Sequence, residues 1–210
     1  MRTAKTWLFI AALLIPGAAQ AAPPAAFAQL RDRAQALPGL STFLSSFIGD
    51  CGFNPLGGGA CKKKVEAFRR GALGKTYQVI LDDDAQRLVQ PRGFSPSTHE
   101  MEFALTPYFE AAGFALTHGQ PHKLNAQGSP VIPLIRMNSI LGDAVTPMMV
   151  DRVFRTGDVR MQIVFKPLGI WKLPRKDKRG AFVEGVKAQI LAVRLTEART
   201  GSTIAYWVSK

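Results

Sequence analysis

Read for the spacing of its apolar residues, the chain changes period near Gly74. Before it the spacing is helical. Phe27, Leu30, Ala34 and Leu37 share one face until Pro38 and Gly39 interrupt. Leu40, Phe43, Leu44, Phe47 and Ile48 form a second stripe that Gly49 ends, and Val65 and Phe68 stand three apart within Lys62 to Arg70. The spacing predicts three short amphipathic helices that bury their stripes in their own domain. After Gly74 the pattern alternates, and TYQVILD, HEMEFALT, VIPLIRM, VRMQIVFK, VKAQILAVRL and TIAYWV read as strands. In VRMQIVFK, for example, Val159, Met161, Ile163 and Phe165 alternate with Arg160, Gln162 and Lys166, as a half-buried antiparallel strand requires.

Neighbouring strands are expected to pair in sequence order, and the short turn in TEARTGS makes residues 186 to 208 a C-terminal hairpin. Residues 97 to 112 are read as strand, bend, strand, because Pro107 inside a single helix would cost about 3 kcal/mol. The fold class expected is α+β: a mainly antiparallel sheet, as a sandwich or partly closed barrel, behind an N-terminal helical region.

The first 21 residues stand apart. Arg2 and Lys5 precede an apolar run, Trp7 to Ile15, and a small-residue tail ends in Ala19 and Ala21. This is the layout of a secretory leader cut after Ala21, and the run is too short for a bilayer core that needs about 20 residues. The organisation expected is a leader at 1–21, a mobile tail with a short helix at 22–36, and one globular domain at 37–210, helical to 74 and mainly β thereafter. Localisation is expected to be periplasmic or secreted, with no transmembrane helix in the mature chain.

Export gives meaning to CGFNPLGGGAC, which holds the chain's 2 cysteines. In an oxidising compartment Cys51 and Cys61 are expected to pair, since one pair is too few for a closed zinc site and the spacing is far from Cys-x-x-Cys. The bond would staple a flexible loop between two helical segments.

Motifs for catalysis are missing. GALGKT, Gly71 to Thr76, ends like a phosphate-binding loop, but Arg69 stands where its first glycine belongs and a strand follows where a helix is required. Gly119 and Pro121 prevent His118 and His122 from sharing a helix face, so both read as exposed loop histidines, and His99 and Glu100 point to opposite faces of a strand. Asp82, Asp83 and Asp84 lack the spacing of a calcium loop. GFSPS lacks the closing glycine of a nucleophile elbow. No catalytic residue, metal ligand or cofactor is assigned.

Charge changes the picture. The full chain carries +12, and without Arg2 and Lys5 there remain 25 Lys and Arg against 15 Asp and Glu, a net of +10. The cations cluster. Lys62, Lys63, Lys64, Arg69 and Arg70, with Lys75, lie beside the cysteines; Lys172, Arg175, Lys176, Lys178 and Arg179 surround Asp177 next to Trp171. Such clusters concentrate anions. Export and the lack of a nucleic-acid motif turn the expectation from nucleic acid to anionic envelope lipid or glycan, or another envelope protein. LGIWKLPRKDKRG is expected to protrude as a hairpin loop, either offering Trp171 to an anionic membrane or packing Trp171 on the sheet beside Ile170 while only the lysines reach water.

The segment LTEARTGSTIAYW is similar to the strand, Thr-Gly turn and aromatic strand that close several bacterial envelope accessory domains. It transfers no site. The function expected is an exported, non-enzymatic binding or accessory protein of the envelope. The alternatives are a periplasmic carrier of an apolar ligand, suggested by 47% apolar residues, and a hydrolase whose site has no linear motif.

Overall fold

A computed structural model of the chain describes residues 25–49, 51, 58–81, 85–123, 131–132, 134–141, 145–174 and 182–209. The expected leader and its cleavage point near Ala21, the acidic run 82–84 and the cations Arg175, Lys176, Lys178 and Arg179 lie outside the described residues. The elements run α1 (Ala25–Asp32), β1 (Gln35–Ala36), α2 (Leu40–Ile48), α3 (Gly58–Ala72), β2 (Tyr77–Leu81) and the single turn α4 (Ala85–Leu88). Then follow β3 (Val89–Ser95), β4 (Glu100–Leu105), β5 (Tyr108–Ala111), β6 (Phe114–His118), β7 (Ile135–Ile140), α5 (Pro147–Thr156), β8 (Val159–Pro174), β9 (Phe182–Glu197) and β10 (Thr203–Val208). The architecture is α+β and mainly antiparallel.

The two 16-residue strands β8 and β9 form the spine. On β8, Val159, Met161, Ile163 and Phe165 are buried on one face, as their alternation predicts. The sequence pattern breaks at Pro167, yet the strand continues, because Leu168 is absorbed as an extra residue between the pairs Pro167↔Ala188 and Gly169↔Lys187. A bulge is where an interior strand tolerates a proline that has no N–H to donate.

Among the described residues the strands make a seven-stranded sheet, β1-β2-β8-β9-β6-β5 with β10 also on β9, and a three-stranded sheet, β3-β4-β7. The seven-stranded sheet does not close into a barrel. Pairing in sequence order holds for β1–β2, which is parallel, and for β3–β4, β5–β6, β8–β9 and β9–β10, the last being the expected C-terminal hairpin. Elsewhere that expectation fails. β2 crosses to β8, and β6 joins β9 in parallel along Gly185–Ala188, leaving Ala192–Thr196 of the same edge to β10.

The inner face of the large sheet packs on the small sheet, α2 and α5 in one core that includes Phe43, Phe47, Phe103, Phe109, Met161 and Phe165. α5 falls outside the expected N-terminal helical third. Its ends are nonetheless well marked: the Thr146 hydroxyl accepts from Met149 N–H, Pro147 opens the first turn and Gly157 closes the helix at φ 75°.

The outer face is covered in part by α1, whose Phe27 is fully buried with Val164 and Ala192. The Gln78 amide donates to Arg31 O and Ala34 O, and Gln162 donates to Gln78 Oε1 at 2.7 Å. With β1 paired to β2, residues 25–36 are held on the large sheet.

Candidate anion-binding surface

α2 and α3 meet through the staple expected from the sequence. Cys51 and Cys61 are disulfide-bonded, with Cα atoms 5.7 Å apart. α3 starts at Gly58, earlier than the apolar spacing suggests, so Cys61 lies within its first turn. Three further contacts fix the helix. Gly49 adopts φ +69°, and a Cβ there would overlap Val65, whose Cγ1 methyl would stand 3.1 Å away. Phe68 meets Phe43 edge-on at 5.9 Å. Arg69 Nε donates to Phe47 O at 3.1 Å, and its guanidinium lies 5.8 Å from the Phe47 ring centre. A cation at the carbonyl end of α2 is favoured by the helix dipole. Arg69 thus positions α3, a role the sequence reading did not assign to it.

The rest of the first basic cluster is free to face solvent. Lys62, Lys63, Lys64 and Arg70 are exposed on α3, as is Lys75 after it, with Glu66 the acid among them. From the second cluster Lys172 is placed: it pairs with Glu184 at 2.6 Å. Arg69 and Lys172 line one pocket of about 360 Å³ together with Ile48, Gly49, Phe114 and Glu184. The fold therefore brings one member of each basic cluster to a common cleft. Trp171 does not join them. The Leu168 bulge turns Ile170 and Lys172 to the side of Val186 and Glu184, which leaves Trp171 opposite Gly185 on the other face. There it is 2% exposed, and a Cβ at residue 185 would overlap the indole and come within 2.7 Å of Ala115 O. This burial corrects the membrane-facing placement of Trp171 and agrees with the alternative in which it packs on the sheet.

The model of a family of unknown function, DUF6066, matches residues 4–210. The chain belongs to DUF6066. No curated protein and no solved structure matches it.

The histidines of this DUF6066 member do not gather. His99 lies in the turn before β4 at φ 54°, against Phe94, and His122 is exposed. His118, read from sequence as an exposed loop residue, is instead wedged where β6 gives way to β10: its Nδ1 accepts Ile190 N–H at 3.0 Å and its ring meets Trp207 edge-on. Burial holds its pKa below the usual histidine value. Among the described residues no three His, Cys, Asp or Glu side chains are placed to hold a metal ion. GALGKT closes α3 and leads into β2, the reverse of the strand-to-helix order of a phosphate loop. A second pocket of about 450 Å³, lined in part by Arg87, Tyr108 and Glu110, escaped the sequence reading. Burial, then the Glu110 charge and its hydrogen bond, push the Tyr108 pKa up to about 12. Its one linear trace is that Tyr108 and Glu110 alternate onto the same face of β5.

The disulfide fits an oxidising compartment. Among the described residues no helix is long and apolar enough to cross a membrane.

Proposed function

We propose that this DUF6066 protein is an exported binding or accessory protein of the cell envelope that engages anionic lipid through α3. The observation that carries this reading is the exposed set Lys62, Lys63, Lys64 and Arg70 on a helix tethered by a disulfide and by Arg69. Each basic residue near an anionic membrane contributes about 1 kcal/mol, and a rigid helix presents several at once. Burial of α3 against the core is slight, so its sequence is free to serve the surface.

The test is co-sedimentation with phosphatidylglycerol vesicles, with phosphatidylcholine as control. Binding is expected to the anionic vesicles, to weaken steeply with added salt, and to fall at least about tenfold when Lys62, Lys63, Lys64 and Arg70 are changed to Ser. Equal binding to both vesicles, or none to the anionic ones at low salt, overturns the reading.

A further inference from the structure

Where the C-terminal strand β10 lies against β7, a pocket of about 660 Å³ opens, lined by Glu102, Arg136, Asn138, Trp207 and Val208. We propose that this pocket binds a saccharide.

The chemistry of the lining selects the ligand class. A pyranose ring has C–H faces that pack on an aromatic plane and a rim of hydroxyls that both donate and accept. The pocket supplies both kinds of partner. The half-buried Trp207 offers the plane, Glu102 accepts, Arg136 donates, and the Asn138 amide does both. These polar residues share one face of the small sheet: Glu102 stands opposite Asn138, and Arg136 is two residues further along β7. Glu102 and Arg136 pair at 3.4 Å with both side chains well solvated, so neither loses a buried partner when a hydroxyl replaces water. Their opposite charges cancel, which disfavours a strong anion. One indole and one valine are too little apolar surface for an acyl chain. The volume lies within the range of small-ligand sites.

The indole is set before any ligand arrives. Trp207 is held in the β9–β10 ladder opposite Val193, and its ring stands at 88° to the His118 imidazole, which is itself fixed by Ile190 N–H. A preordered platform lowers the entropy lost on binding. The inference does not depend on the lipid reading, since it concerns different residues and a neutral ligand.

The test follows the indole N–H signals of the full chain by NMR during titration with cellobiose and with N,N′-diacetylchitobiose, glycerol serving as a hydroxyl control. Trp207→Phe identifies the Trp207 signal, and buried Trp171 is the internal reference. At least one disaccharide is expected to shift the Trp207 signal saturably while the Trp171 signal stays in place. Raising salt to about 0.5 M is expected to change the affinity less than twofold, unlike vesicle binding. Glu102→Gln and Asn138→Ala, both outside the core, are each expected to weaken binding about tenfold, the loss of one or two hydrogen bonds, at unchanged thermal stability. If neither sugar moves the Trp207 signal, or if both variants bind as the parent does, the proposal is wrong.

Discussion

α2 and α3 are joined by one disulfide and held by opposite means. α2 buries Leu40, Phe43, Leu44, Phe47 and Ile48 across β5, β6 and β9, so its position follows from the core. α3 is longer, yet among its described side chains only Ala72 is buried, and Phe68 remains 40% exposed. Its place depends on the disulfide, on the notch at Gly49 and on the Arg69 bond to Phe47 O. A helix seated by its core face has little freedom in sequence. One seated by a staple and a few contacts can carry a run of lysines without weakening the fold.

The contrast can be broken first at α2. Phe47 is fully buried, so Phe47→Ala is expected to cost about 3–5 kcal/mol and to lower the midpoint of a cooperative thermal transition. A loss below about 1 kcal/mol would mean that α2 does not belong to the main core. The staple comes next. Replacing Cys51 and Cys61 by Ser frees a short loop and is expected to cost about 2–3 kcal/mol through the unfolded chain. Its local effect is more telling: amide exchange in α3 should accelerate well before exchange in β8 and β9. Uniform acceleration throughout the chain would show that α3 is as much a part of the core as α2.

The same contrast explains what could be read in advance. The five residues of the α2 stripe are all buried, because 3.6-residue spacing is a local property and one face had a core to meet. The exposed lysines of α3 were legible for the same reason. Arg69 was not, since the carbonyl it serves is 22 residues away. Trp171 was misplaced because the alternation stops at Pro167, which made the next residues read as a loop, whereas β8 runs on to Pro174 past the extra residue at Leu168. The parallel β6–β9 pairing leaves no trace in either strand's own pattern. α5 is different, for its Thr146, Pro147 and Gly157 signals are all local and were there to be read.

His118 marks the limit of such reading and allows the smallest and sharpest test. Its bonding partner Ile190 is 72 residues away, and Gly119 and Pro121 beside it give every local sign of an exposed loop. With Nδ1 accepting Ile190 N–H, the neutral ring must carry its proton on Nε2. A second proton at Nδ1 would set one N–H against another. The groups seen against the ring, Ile190 N–H from β9 and the Trp207 indole from β10, do not titrate in this range and offer the imidazolium no counter-charge. Burial therefore lowers the folded pKa, and the unfolded chain takes up the proton first, near pH 6.5. The stability owed to the neutral ring is complete above that value and is lost as pH falls through it toward the lower folded pKa. His118→Gln keeps a carbonyl acceptor without the titration. The difference between the thermal midpoints of parent and variant is expected to shift against the parent between about pH 7 and pH 5, above the range where most carboxylates titrate. His99 and His122 are common to both proteins and cancel in the difference. Midpoints that run parallel across that window would show that His118 keeps the same protonation in the folded and unfolded chain, and that the junction of β6 and β10 does not depend on its neutral form.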